Sequence, residues 1–168
     1  MFLKPDMYRA FPPLCAMEPR ILILGTFPSP LSREKGEYYG NPQNKFWKII
    51  FDVFGVHFDN PDYGEKKRVL FENRLALWDV IQSCEIAGAL DQNIRNPVYN
   101  TALPEFIAAH TIETVVFNGA KAYDFYRRNI ALIEKRVLPS TSPANARMRY
   151  EDKLAAWTKA LRGNGVFH

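Results

Sequence analysis

The chain is short of cysteine, histidine and long apolar runs, and each shortage removes a class of function. Cys15 and Cys84 are its only cysteines, and they lie far apart. Two such thiols make neither a disulfide framework nor an iron–sulfur or zinc site. They read as small buried or surface side chains, and a reducing cytoplasm is the simplest compartment. His57, His110 and His168 are scattered, with no metal-ligand or triad spacing. Neither a metal nor another cofactor is expected. No stretch approaches the roughly 18 apolar residues that a membrane span needs. The start of the chain has no basic segment leading into an apolar run, as a signal peptide would. Phosphate loops of the GxGxxG or Walker kind are also missing. Charge is nearly balanced, with 22 Lys and Arg against 18 Asp and Glu, a net of +4. That excess permits an anionic partner without demanding one.

What is present is a globular composition. Apolar residues make up 47% of the 168 residues and aromatics 14%, enough for a sizeable core in a single domain spanning 1–168. Residues 1–19 hold four prolines and read as an irregular arm. Ile21 to Leu24 is a continuous apolar run ending at Gly25, the pattern of a strand covered on both faces. Residues 26–43 read as a long loop rich in Pro, Ser, Gly and Tyr, and such loops are usually functional. Phe46, Ile49, Ile50, Val53 and Phe54 recur at helical spacing, with Gly55 closing that helix. A polar helix over 65–74 and a strand over 75–81 follow. A short helix over 104–110, a strand over 114–118 and a helix from 119 to about 129 come next. The chain then reads as a short strand over 135–138, a loop over 139–147 and a last helix over about 148–162.

Strands alternating with helices imply right-handed βαβ units. The expected fold class is α/β, a three-layer α/β/α sandwich around a central, mainly parallel four-stranded sheet. Ligands of such sheets bind beyond the carboxyl ends of the strands. Those ends are Gly25-Thr26-Phe27, Trp78-Asp79, Asn118-Gly119 and Pro139-Ser140.

Several residues at these ends carry chemistry. Gly25 permits a close backbone approach, and Pro28 stiffens the turn before Ser29. Phe27 and Tyr39 offer flat apolar faces to a planar ligand, or pack their loop. Asn41-Pro42 reads as a helix N-cap followed by a proline at the first helical position. Asn44 would then sit at the third position of the same helix. Neither amide is a true base, but each can orient a water or bond a base edge. Phe46 and Trp47 belong to the core. Asp79 is the only carboxylate at the strand ends. It can position water, read an N–H group or cap a turn. Ser140, Thr141, Ser142 and Asn145, with Arg147 and Arg149, read either as phosphate contacts or as a helix-capping loop with Asn145 as the cap.

The order of these segments resembles the uracil-DNA glycosylase superfamily. Gly25-Thr26-Phe27-Pro28, Tyr39-Gly40-Asn41-Pro42-Gln43-Asn44-Lys45-Phe46-Trp47 and Pro139-Ser140-Thr141-Ser142-Pro143-Ala144-Asn145 are similar to the mismatch-specific uracil/thymine branch. Phe27, however, replaces the Asn that holds the catalytic water there. The deoxyinosine (hypoxanthine) DNA glycosylase family fits better. It is similar in Gly25 to Ser29, in Tyr38 to Trp47, and in Leu77-Trp78-Asp79-Val80-Ile81-Gln82-Ser83-Cys84. Asn118-Gly119 and Leu138 to Ala144 also match, so the resemblance covers about residues 20–160.

It implies a monofunctional base-excision enzyme without metal or other cofactor. Its partner is DNA containing a deaminated base, most directly hypoxanthine, and it acts as a monomer in the cytoplasm with no membrane. An Asn beyond the first motif is implied as the catalytic residue. Asn44 stands first for that role and Asn41 second, with Asp79 beside them. The base would meet Gly25, Thr26, Phe27, Pro28, Tyr39, Trp78 and Asn118. The DNA would meet Ser29 and the Ser140–Arg149 segment. Two alternatives stand beside this reading: a uracil- or mismatch-directed glycosylase, and a nucleic-acid-binding module without the chemistry. No lysine stands out as a Schiff-base nucleophile, so strand cleavage is not expected.

Overall fold

In the computed structural model residues 6–86, 93–133 and 135–163 are described. Residues 1–5 of the expected arm and His168 lie outside them. The arm is not irregular throughout. It carries two short strands, Asp6–Arg9 (β1) and Leu14–Cys15 (β2). Pro12 and Pro13 fall between the strands, where no ladder hydrogen bond is lost.

The next strand, Ile21–Gly25 (β3), leads into a connection that also departs from expectation. Within it Pro30–Lys35 forms a short helix (α1). Ser29 caps it by accepting from the Ser32 amide, Pro30 opens it, and Gly36 closes it in the left-handed region at φ 68°. Phe46–Val53 (α2) and Tyr63–Glu72 (α3) follow, then Leu75–Asp79 (β4). The expected strand over 75–81 is in fact two. The chain turns at Val80, and Ile81–Ile86 (β5) enters a different sheet with Ile94–Tyr99 (β6). Leu103–Ala109 (α4), Thr114–Asn118 (β7), Ala120–Asn129 (α5), Val137–Leu138 (β8) and Tyr150–Arg162 (α6) complete the order.

The main sheet runs β2-β4-β3-β7-β8. Its β4, β3, β7 and β8 are parallel, as expected, and β2 adds a fifth, antiparallel edge beside β4. β1, β5 and β6 form a separate antiparallel sheet.

Alternation along the parallel strands builds the two outer layers. Ile23, Leu75, Leu77 and Val116 face one cluster with Phe46, Ile49 and Ile50 of α2, Leu70 of α3 and Trp157 of α6. Leu22, Leu24, Ala76 and Phe117 face the other, with Leu103 of α4 and with Ala122 and Tyr126 of α5. Helices therefore cover both faces of the sheet, and its carboxyl edge is left for the connections. Among the described residues no helix is long and apolar enough to cross a membrane.

Candidate active site

A cleft of about 690 Å³ opens at the carboxyl ends of β3, β4, β7 and β8. Gly25, Thr26, Phe27, Pro28 and Ser29 line it from the end of β3. Tyr39, Asn41 and Asn44 come from the following connection, Asp79 from β4 and Asn118 from β7. Ser140, Thr141, Ser142 and Asn145 close it from the β8–α6 connection. Residues spread over more than a hundred positions of sequence thus share one wall-to-wall space.

Trp78 does not join them. It alternates to the other face of β4, where it packs on Phe106 and its indole N–H donates to the Phe11 carbonyl at 3.1 Å. Arg147 and Arg149 are exposed and do not line the cleft. Arg149 flanks the start of α6 and pairs with Glu151 at 3.7 Å.

The register between β3 and β4 explains Gly25. Gly25 stands opposite Asp79, and the Asp79 side chain leans across it. A Cβ at Gly25 would lie 2.7 Å from Asp79 Oδ1 and 3.0 Å from the Tyr39 hydroxyl. No other residue leaves room for both side chains. Asp79 is 5% exposed, and its Oδ2 has no hydrogen-bond partner. Burial pushes the carboxyl up to about 7. The backbone around it is firmly held. Val80 N donates to Gly25 O at 2.9 Å, and Asn100 donates through Nδ2 to Asp79 O at 3.1 Å.

Tyr39 adopts a left-handed backbone conformation, φ 52°, which few non-glycine residues accept. Its ring stacks on Phe46 at 4.0 Å between centroids, so one face is already covered. Its hydroxyl bonds the Asn118 side chain, while burial and the nearby Asp79 charge raise its pKa. The connection carrying Tyr39 is fixed from behind. Gly40 N donates to Ser32 Oγ at 2.9 Å, and Trp47 Nε1 donates to Tyr38 O at 2.9 Å.

The two asparagines are not placed as a helix start would place them. α2 begins at Phe46, with Lys45 as the flanking residue, so Asn41 is not its cap and Asn44 is not its third residue. Instead Asn44 N donates to Asn41 O at 2.9 Å, closing a tight turn around Pro42. Asn41 Oδ1 accepts from Gln43 N at 3.0 Å, and Asn44 Oδ1 accepts from Phe46 N at 2.9 Å. Proline at Pro42 serves this turn and not a helix. With each oxygen engaged on nearby backbone, the NH2 end of each amide is the group left for a ligand.

Opposite them, Asn118 grips the last wall. It donates to Thr141 Oγ1 and accepts from Thr141 N, both at 3.0 Å. Lys45 N in turn donates to Thr141 O at 3.0 Å, tying two walls together. Asn145 caps no helix. Its Nδ2 donates to Ser140 O at 3.2 Å, and Ser142 caps a short 3-10 turn, Pro143–Asn145.

Phe11, Tyr38, Ile94 and Lys121 also line the cleft, and sequence reasoning missed them. Tyr38 and Lys121 had local signals, as the neighbour of Tyr39 and as first-turn residue of the helix after Asn118-Gly119. Phe11 and Ile94 had none, because the folding back of the β1-β5-β6 side brings them in. Among the described residues lining the cleft, Lys121 is the one cation and Asp79 the one acid. No group of three His, Cys, Asp or Glu among the described residues is arranged to hold a metal ion. Such a space suits a flat, neutral, polar-edged ligand.

Comparison with known proteins extends over nearly the whole chain. The Uracil DNA glycosylase superfamily profile matches residues 12–162. A protein of Methanosarcina acetivorans named "Hypoxanthine DNA glycosylase" is 34% identical over 158 residues, 92% of this chain and 98% of its own. One of the same name from Methanosarcina barkeri is 30% identical over 155 residues, with the same coverage. The solution NMR structure of a candidate uracil DNA glycosylase from Methanosarcina acetivorans superposes with a TM-score of 0.75 at 32% identity. It covers 94% of this chain and 98% of that one. The chain belongs to the uracil DNA glycosylase superfamily.

Proposed function

We propose that this protein is a monofunctional DNA glycosylase that hydrolyses the N-glycosidic bond of hypoxanthine in DNA. One observation carries the reading: the Gly25–Ser29, Tyr39–Asn44 and Ser140–Asn145 segments converge on one cleft at the strand ends. The relatives named for hypoxanthine support the choice of base. The protein acts as a single-domain monomer in the cytoplasm, on DNA that carries a deaminated base.

A base in a duplex must be turned out of the stack before its sugar carbon can be reached. In the proposed complex the flipped base enters between Phe27 and Tyr39, with Gly25, Thr26 and Pro28 beneath it. The Nδ2 groups of Asn44 and Asn41 donate to its carbonyl edge or to the attacking water. Asn44 has first place, because its oxygen is anchored directly to the start of α2. An amide donor fixed before the substrate arrives stabilises charge that develops as the bond breaks. Ser29, Ser140, Thr141, Ser142 and Asn145 offer hydroxyl and backbone groups to the phosphates on either side of the target. Arg147 and Arg149, outside the cleft, extend that contact along the duplex.

The test is base release. Purified protein, with chelator present, is given oligonucleotides carrying deoxyinosine, deoxyuridine or deoxyxanthosine. Alkali-labile abasic sites are expected with deoxyinosine, and no strand cleavage before alkali. No abasic site with any of the three bases removes the enzyme reading and leaves a DNA-binding module.

A further inference from the structure

Breaking the bond to a purine raises a demand that breaking the bond to uracil does not. The electron pair of the C1′–N9 bond must pass into the leaving base. Uracil takes it as an anion spread over two carbonyls. Hypoxanthine takes it far more readily once N7 has received a proton. A purine-directed enzyme therefore gains from an acid beside that atom.

Among the described residues lining the cleft there is one candidate acid. Asp79 ends β4 at the carboxyl edge of the sheet, with one oxygen against Gly25 and the other unpartnered and buried. A buried carboxyl without a hydrogen bond is costly to keep unless it serves a ligand. Among the described residues Asp79 takes part in no ion pair. Tyr38 and Tyr39 face it from the preceding connection, and burial keeps both phenols protonated. Asn118 and Thr141, from β7 and the last connection, are neutral. Lys121, from the start of α5, is the one cation among the described residues that line the same space. Burial thus dominates, and the carboxyl holds its proton up to about pH 7, well above the usual carboxylate range.

Resting on the glycosylase reading above, we propose that Asp79 is the general acid of the reaction, giving its proton to N7 of the flipped hypoxanthine as the C1′–N9 bond breaks. The atoms balance with water alone. The water oxygen bonds to C1′, the C1′–N9 pair enters the imidazole ring, and the Asp79 proton bonds to N7. The water then loses one proton to solvent. The Asp79 carboxylate takes one back before the next turnover.

The test is the pH profile of single-turnover hypoxanthine release, from about pH 5 to 9, for the wild type and Asp79→Asn. The wild-type rate is expected to fall about tenfold per pH unit above about 7, as the acid is lost. Asp79→Asn is isosteric, and circular dichroism checks that it is folded. It is expected to be about 100-fold slower and flat over that range. Asp79→Glu, which keeps an acid, is expected to retain the falling limb and covers the case in which the Asn variant does not fold. A slow variant that keeps the wild-type pH profile would overturn the proposal, since Asp79 would then only shape the cleft. An Asp79→Asn protein as fast as the wild type would overturn it too. Wild-type protein that releases no hypoxanthine sinks the glycosylase reading itself, a different result from either.

Discussion

Opposite walls of the cleft treat their polar groups differently. In the connection from β8 to α6 the polar groups are largely paired within the protein. Thr141 is held twice by Asn118, and Ser142 N donates to Ser140 Oγ at 3.2 Å. The buried Lys153 donates to Asn145 O at 2.6 Å, and Trp157 Nε1 to Pro139 O at 2.9 Å. At the end of β4, Asp79 Oδ2 has nothing. Asn41 and Asn44 lie between these extremes, with the oxygen of each engaged. A satisfied wall is scaffold and meets a ligand with outward hydroxyl and backbone groups. An unsatisfied one stores a cost that only a ligand relieves, so chemistry is expected to concentrate at Asp79 and Asn44.

The largest expected effect tests that stored cost. The Asp79 pKa stands at about 7, above its ordinary 3.8. The folded state therefore binds more protons than the unfolded state between these values. Stability from this group is fully present below about pH 4 and is lost as pH rises through about 7. At about 1.36 kcal/mol per unit the loss amounts to roughly 4 kcal/mol. Relative to the wild type, Asp79→Asn should gain about that much stability between pH 4 and pH 8 in urea unfolding. A constant difference between the two proteins would show that Asp79 is ionised in the fold and that the contrast between the walls is false.

Asn44→Ala comes next. Losing a positioned donor should slow single-turnover excision about 100-fold, near 3 kcal/mol of transition-state stabilisation. Affinity for an uncleavable duplex should change little. If excision stays near the wild-type rate in a folded protein, the half-satisfied amide is scaffold as well, and the role moves to Asn41.

The sequence made the sheet legible where strands are covered on both faces. Ile21 to Leu24 and Val115 to Phe117 are continuous apolar runs because helices lie above and below them. Leu75 to Ile81 is apolar apart from Asp79, yet it serves two sheets. Nothing local in the sequence marks the turn at Val80, which is fixed by amides reaching back to Gly25 and Thr26. α1 is legible in its caps rather than in its composition. Ser29-Pro30 and Gly36 are ordinary start and stop signals, hidden in a segment read as loop for its composition. The antiparallel sheet escaped because β1 sits beside prolines and finds its partner, β5, far along the chain.

At the site, residue types and strand-end positions were readable, but the partners were not. Asn41-Pro42 looks like a helix start, and only the position of Phe46 shows it to be a turn. That Asp79 leans over Gly25 depends on register, which a single sequence does not display.

Asn118→Ala probes the satisfied wall from a distance. It removes both side-chain bonds to the buried Thr141 and the hydroxyl contact of Tyr39. Leaving buried polar groups unmatched costs about 2 kcal/mol, read as a lower urea midpoint. Excision should fall through disorder of the Ser140–Asn145 wall. Asn118→Asp keeps the bond from Thr141 N and can accept from the Thr141 hydroxyl, so it should restore part of the stability. Equal stability of the Ala variant and the wild type would mean that the wall holds itself.

The smallest expected effect lies just past that wall. Arg147 is exposed and follows the 3-10 turn that borders the cleft. It is outside the cleft lining, so contact with the base itself is not expected. Its expected contribution is one phosphate contact. Arg147→Ala should then weaken DNA binding several-fold at low salt and reduce the slope of log affinity against log salt by about one. The loss should be equal for damaged and undamaged duplex, because a phosphate contact carries no base information. If the loss is instead larger for damaged duplex and small for single strands, the side chain enters the stack vacated by the flipped base. The scaffold wall would then take part in the chemistry after all. An unchanged slope with unchanged excision would remove Arg147 from the DNA interface, and the scaffold would end at Asn145.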